Sequence, residues 1–334
     1  MPSHDDAPTL HDPQRRDFLR RLARASGGIA LAGLGGALLV GSPGWGGAER
    51  EGELRCFDFG RPEAGRRLGI GQGPDRAASL DAALTALGGL SAFVGPGDVV
   101  LLKVNAGFAT PPELGATTHP ALLGALARRC FEAGAAEVLV TDNPVADPMG
   151  CFQTSGIQAA AEDAGATLLL PGPGSFTPIT LPEGRLLRAW PVLTEPLDRA
   201  TRLISVCPLK HHYLAGATMG LKNAYGLLGG TRGVFHQDVH TIITELSRLV
   251  RPTLSVLDAT WAMVRNGPTG GSRSDLEDRG FMAVGSDPVA VDAFGASLLG
   301  LKPGDLPYLL RAATAGAGGA DWRDLVSATP GSAR

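Results

Sequence analysis

Short apolar runs recur along this chain and alternate with helical patterns. Asp98–Val104 (DVVLLKV), Glu137–Thr141 (EVLVT), Arg202–Cys207 (RLISVC) and Thr253–Asp258 (TLSVLD) have the length and residue types of buried strands. Between the first two, Thr118 offers an N-cap with Pro120 just inside a helix. Leu123, Leu126, Ala127, Cys130 and Phe131 then recur at helical spacing until Gly134. Gly156–Ala164 reads as a helix and Ala166–Leu170 as a further strand. A helix is expected around Val239–Leu249. Another runs over Pro288–Leu299, capped by Asp287, with Val291, Phe294 and Leu298 facing inward. This alternation predicts an α/β fold, a layered sandwich with a mostly parallel sheet. Two lobes are compatible with it, and the Pro/Gly-rich stretch Pro171–Pro178 is the expected boundary. Right-handed crossovers would bring the C-terminal ends of the strands to one edge, where ligands bind in such sheets.

Polar residues gather at those strand ends: Lys103 and Asn105, Asp142 and Asn143, then Lys210, His211 and His212, and Asp258. The choice of cation sharpens the pattern. The chain holds four lysines (103, 210, 222 and 302) among 30 Lys+Arg. Three of them stand in apolar contexts beside Asn or His, whereas Lys302, in a Lys-Pro-Gly loop, reads as ordinary surface. Lysine supplies a compact charge with a shiftable pKa that arginine does not.

The densest segment is Cys207–Gly226, CPLKHHYLAGATMGLKNAYG. A strand runs into a cationic cluster, and the small residues Ala215, Gly216, Ala217 and Gly220 then permit close approach before Lys222-Asn223. A Gly-rich helix start with two lysines nearby is a candidate anion site, and tight helix-on-sheet packing is the alternative. His119 stands at a helix N-terminus, where the dipole disfavours its protonated form, so it is a candidate base or metal ligand. His236 and His240, four residues apart, can share one helical face and with it a metal.

The first 48 residues have a different character. Arg15-Arg16-Asp17-Phe18-Leu19 resembles a twin-arginine export signal; a weakly apolar, Gly-rich run over 26–41 and the small-residue exit Gly46-Gly47-Ala48 follow. That run is short for a membrane span, which needs about 20 residues. The expectation is a cleaved signal over 1–48, use of the twin-arginine translocase, a periplasmic or extracytoplasmic location, and no stable span in the mature 49–330 domain. The twin-arginine resemblance also implies export in the folded state, often with a cofactor loaded. A net charge of −3 offers no basic surface for nucleic acid. Cys56, Cys130, Cys151 and Cys207 form no C-x-x-C pair, so no zinc ribbon and no iron–sulfur cluster is encoded in this chain.

K-V-N, T-T-H-P, V-x-D-N, the long C-P-L-K-H-H-Y segment, N-G-P-x-G-G (Asn266–Gly271) and G-S-D-P-V-A-V-D (Gly285–Asp292) together resemble domain-of-unknown-function family 362, in order from about residue 98 to 301. Many members of that family are fused to or encoded beside iron–sulfur modules. Remotely, His212 to Lys222 is also similar to a motif in the N-terminal domain of nickel-pincer lactate racemase. That resemblance implies a cofactor held by the lysine and a metal held by one of the pattern's histidines. Its arginine-bearing motif has Pro120 here instead.

These readings predict an exported enzyme that binds a metal or phosphorylated nucleotide cofactor and acts on a small oxyacid-like anion. His119 and His236 are the candidate catalytic residues. Lys103, Asn105, Asp142, Lys210, His212, Gly216, Gly220, Lys222 and Asn223 are candidates for cofactor or anion binding, and His212, His236 and His240 for a metal. A non-catalytic periplasmic binder of an anion or metal, or a redox protein working with a separate iron–sulfur partner, are the alternatives.

Overall fold

A computed structural model describes residues 52–327, which lie in one compact unit. The signal-like segment 1–48 lies outside the described residues. Among the described residues thirteen strands follow in chain order: β1 Glu53–Leu54, β2 Phe57–Asp58, β3 Leu68–Gln72, β4 Val99–Lys103, β5 Glu137–Thr141, β6 Thr167–Leu169 and β7 Phe176–Thr180. They continue as β8 Trp190–Leu193, β9 Arg202–His212, β10 Gly216–Thr218, β11 Val250–Arg251, β12 Leu254–Met263 and β13 Leu276–Gly285.

The main sheet has the order β3-β13-β12-β9-β4-β5-β6, with β10 folded back on β9. Strands β12, β9, β4, β5 and β6 are parallel; β13, β3 and β10 join antiparallel. The chain thus folds as the α/β sandwich its alternation predicts, built on a mostly parallel sheet.

Side chains alternate across each strand, and this assigns the helices to faces. Val100, Leu102, Val138, Val140, Ile204 and Val206 share a core with Leu80 and Leu84 of helix Arg76–Ala86 and Leu122 and Leu126 of helix Pro120–Glu132. Their neighbours Leu101, Leu139 and Leu203 pack on the opposite face against Ile242 and Leu246 of helix Val239–Leu249. Further along that face, Leu209 and Leu257 meet Val291 and Phe294 of helix Pro288–Leu298. From β4 the chain winds outward through β5 and β6; from β9 it winds the other way through β12 and β13. The neighbours β4 and β9 therefore flank the point where the winding reverses, and the crevice beyond their C-terminal ends is where such folds bind ligands.

Strands β9 and β12 run past the ends expected for them, to His212 and Met263. The extension changes what Lys210-His211-His212 is. On a strand, alternate residues share a face, so Lys210 and His212 are buried together while His211 points the other way. Hairpin pairing with β10, Gly216 opposite His212 and Thr218 opposite Lys210, holds the segment in place. Residues 171–178 lead from the main sheet into a small sheet of order β1-β7-β8. The four cysteines are free thiols, Cys56 exposed and the other three buried. Among the described residues no helix is long and apolar enough to cross a membrane.

Candidate functional site

The C-terminal ends of β4, β5 and β9 open into a cavity of about 440 Å³. Asn105, Asp142, Lys210, His212, Thr218, Lys222, Asn223, Tyr225, Arg232 and His236 line it, with Phe108 and Tyr213 as aromatic wall. This is the size of a pocket for a small organic ligand. Among the described residues Asp142 is the one carboxylate on the lining.

Behind the cavity floor, Lys103 is 1% exposed and its Nζ stands 2.8 Å from Asp142 Oδ1. Burial pulls this ammonium below the usual lysine range, and the Asp142 carboxylate opposes the fall. Asp142 also accepts from the backbone N–H of Ala106 (2.6 Å) and Asn143 (2.9 Å), so its oxygens are engaged. Gly226 makes room for this pair, since a Cβ there would lie 2.0 Å from Asp142 Oδ1. Asn223 donates to the Lys103 carbonyl (3.0 Å) and Ser205 Oγ (3.1 Å), and it accepts from Asn105 Nδ2 (3.2 Å). Asn105 in turn accepts from Lys210 Nζ (3.1 Å). Lys210, 1% exposed, also donates to the Ala116 carbonyl and has no carboxylate partner among the described residues.

Lys222 and Arg232 add positive charge to the lining, with the Asp142 carboxylate near enough to favour the charged form of Arg232. Lys222, 8% exposed, forms no ion pair or side-chain hydrogen bond among the described residues; its Nζ lies 5.1 Å from the centre of the Tyr225 ring. Arg232 is held by the carbonyls of Asn143 (2.6 Å), Leu228 (3.1 Å) and Tyr225 (3.3 Å), none of which neutralises it. Burial, with the neighbouring Lys222 charge, pushes Lys210 down to about 7. Burial, with Arg232 nearby, pushes Lys222 down to about 8. Thr218 Oγ1, buried in the same lining, has no hydrogen-bond partner among the described residues. Lys103, Lys210, Lys222 and Arg232 thus share the Asp142 carboxylate, and cationic side chains outnumber carboxylates at this cavity among the described residues.

The two histidines of the lining are wired differently. His212 Nδ1 accepts from the N–H groups of Leu214 and Ala215, both at 3.2 Å, so the neutral ring carries its proton on Nε2. His236 Nδ1 faces the Gly233 carbonyl at 3.2 Å; a carbonyl cannot donate, so Nδ1 holds the proton and Nε2 keeps a lone pair. The rings are nearly parallel, 6.2 Å between centres. Burial, then the Lys222 charge, disfavours the protonated form of both, taking His212 down to about 3.

Several expected site residues stand elsewhere. His119 is itself the N-cap of helix Pro120–Glu132, its Nδ1 accepting from Ala121 N–H at 3.2 Å. It lies outside the cavity lining, near Arg76 and Asp258. Thr118, expected to cap, instead ties strand ends together: its hydroxyl accepts from Asn105 N–H (2.8 Å) and donates to the Val206 carbonyl (2.9 Å). Gly216 and Gly220 serve chain packing. A Cβ on Gly216 would lie 2.5 Å from Leu306, and the N–H groups of Gly220 and Leu221 are bound by Asp292 at 2.7 and 3.0 Å. Those N–H groups are therefore not open to an anion, contrary to the Gly-rich helix-start reading.

The expected metal set of His212, His236 and His240 is not assembled either. His240 stacks on Tyr308, 6.0 Å between centres, and does not line the cavity that His212 and His236 share. His212 has the wrong tautomer, because a neutral histidine bound to metal through Nε2 must carry its proton on Nδ1, where two N–H groups already point. No group of three or more His, Cys, Asp or Glu that could hold a metal occurs among the described residues.

An α/β domain with a cationic cavity at its winding reversal is thus the class of protein defined by fold and site. Residues 100–297 match the model of a family described as a domain of unknown function, DUF362, and the chain belongs to that family. It is also similar to the thylakoid-associated protein sll1697 of Synechocystis sp., 27% identical over 240 residues, covering 70% of this chain and 72% of that protein. No solved structure matches. The racemase resemblance is not supported by these matches.

Proposed function

We propose that this protein is an exported enzyme whose cavity binds a small oxyacid-like anion, free or as the phosphorylated end of a larger cofactor. One observation carries the reading: Lys222 and Arg232 face a cavity whose one lining carboxylate among the described residues, Asp142, is already paired with Lys103. Oxalate and sulfate, which keep their charge between pH 6 and 9, are suitable probes for calorimetric titration. Binding is expected with millimolar affinity or better, and Lys222→Met should weaken it at least tenfold. Lys222→Arg should also bind poorly while melting near wild type, because the wide guanidinium cannot take the place of a compact ammonium beside Tyr225. The pH dependence has a definite sign. Raising pH from 6.5 to 9 discharges Lys210 (about 7) and Lys222 (about 8), so affinity should fall across that interval. Equal affinity in wild type and Lys222→Met would overturn the reading.

Export rests on Arg15-Arg16 and the run that follows. The thylakoid association of the relative is in keeping with a place at or beyond a membrane. Replacing both arginines with lysine should leave unprocessed precursor in the cytoplasm, whereas the native chain should be cut near Glu49. Normal processing of the double-lysine variant would count against export by this route.

A further inference from the structure

Resting on the anion-binding reading, we propose that the cavity is a proton-transfer site for 2-oxocarboxylates, with His236 as base and His212 as hydrogen-bond donor. Two neighbouring histidines with the same tautomer would offer two donors or two acceptors. Here the backbone forces opposite tautomers. Leu214 and Ala215 N–H groups fix the His212 proton on Nε2, and the Gly233 carbonyl leaves His236 Nε2 with its lone pair. Both rings line the cavity that holds Lys222 and Arg232. Neither Nε2 makes a hydrogen bond among the described residues.

A small carboxylate bearing a carbonyl uses each of these groups. Its carboxylate is the anion that Lys222 and Arg232 attract. Its carbonyl oxygen accepts from His212 Nε2–H. His236 Nε2 removes a proton from the carbon beside the carbonyl: a C–H bond breaks, an N–H bond forms, and the C–H electron pair becomes a carbon–carbon double bond. The carbonyl π pair moves onto oxygen, where His212 Nε2–H and the nearby ammonium groups stabilise the enolate. After the new His236 N–H exchanges with solvent, a solvent-derived proton passes from Nε2 to the same carbon, so the cycle needs no oxidant, reductant or metal. A neutral imidazole is the better donor for this purpose, since an imidazolium would protonate the enolate rather than hold it.

Hydrogen exchange reads the step directly. Pyruvate, 2-oxobutyrate and 2-oxoglutarate are incubated with the protein in D2O, and loss of the proton signal beside the carbonyl is followed by NMR, with binding measured in parallel by calorimetry. Wild type should exchange at least one of the three about 100-fold faster than His236→Gln, the usual worth of a positioned base. His236→Asn serves as a second variant should Gln disturb folding. His212→Gln, which retains an N–H donor, should keep more exchange than His212→Phe. Binding that depends on Lys222 with exchange no faster than in His236→Gln overturns the proton-transfer site and leaves the anion site standing. The same holds when oxalate or sulfate binds but no 2-oxocarboxylate does. Failure of every anion to bind overturns both.

Discussion

Asp142→Ala is expected to lower the melting temperature by roughly 10 °C, the largest stability loss of any single change at the cavity. The carboxylate pairs with a lysine that is 1% exposed, and removing one partner of a buried pair leaves the other charge unmatched in a dry site. Such losses run to about 3–5 kcal/mol, and about 2–4 °C follow per kcal/mol in a domain of this size. The N–H groups of Ala106 and Asn143 lose their acceptor as well. Lys103→Met should cost less, because Asp142 keeps both backbone bonds. The double variant Lys103→Met with Asp142→Asn should recover part of the loss, which calorimetric melts of the four proteins would measure. If Asp142→Ala melts within 2 °C of wild type, the pair is hydrated and contributes no more than a surface ion pair.

How far the site could be read from the chain depended on contrast. Lysine is scarce here, so Lys103, Lys210 and Lys222 stood out, and all three gather at one cavity while Lys302 lies exposed at the surface. The same arginine-rich background concealed Arg232, one arginine among many and marked by no local motif. Tyr225 and Phe108 were hidden for a related reason, since an aromatic residue in an apolar stretch reads as core. The strands were recognisable wherever both faces are buried: β5 coincides with Glu137–Thr141, and helix Val239–Leu249 has its expected bounds. The strand extensions were not, because Pro208 and the polar run after it look like a loop until pairing with β10 and β12 supplies the hydrogen bonds. His119 misled for a physical reason. The position at a helix start that would keep an imidazole neutral for catalysis also suits it to cap that helix.

Asp292→Ala should cost both stability and binding, although Asp292 does not line the cavity. The residue is fully buried, and its two oxygens accept the N–H groups of Gly220 and Leu221 at 2.7 and 3.0 Å, at the start of the short helix Gly220–Asn223. Burial raises this carboxyl to about 7, although the two N–H bonds favour its charged form. Gly220 is needed for so close an approach, since a Cβ there would stand 3.1 Å from Asp292 Oδ1. The last residue of the G-S-D-P-V-A-V-D motif thus anchors the helix that carries Lys222 and Asn223. Truncation leaves two buried donors without acceptors, at about 1–3 kcal/mol each, so a loss of roughly 2–6 kcal/mol should appear in denaturant titrations. Asp292→Asn keeps one acceptor but turns an amide N–H2 toward a backbone N–H, so it should fall between the two. At temperatures where each variant is folded, oxalate affinity should drop at least tenfold, because the Lys222 ammonium is no longer held at a fixed place. A variant that melts early yet binds oxalate like wild type would show that β10 and the Asn223 hydrogen bonds place Lys222 without help from Asp292.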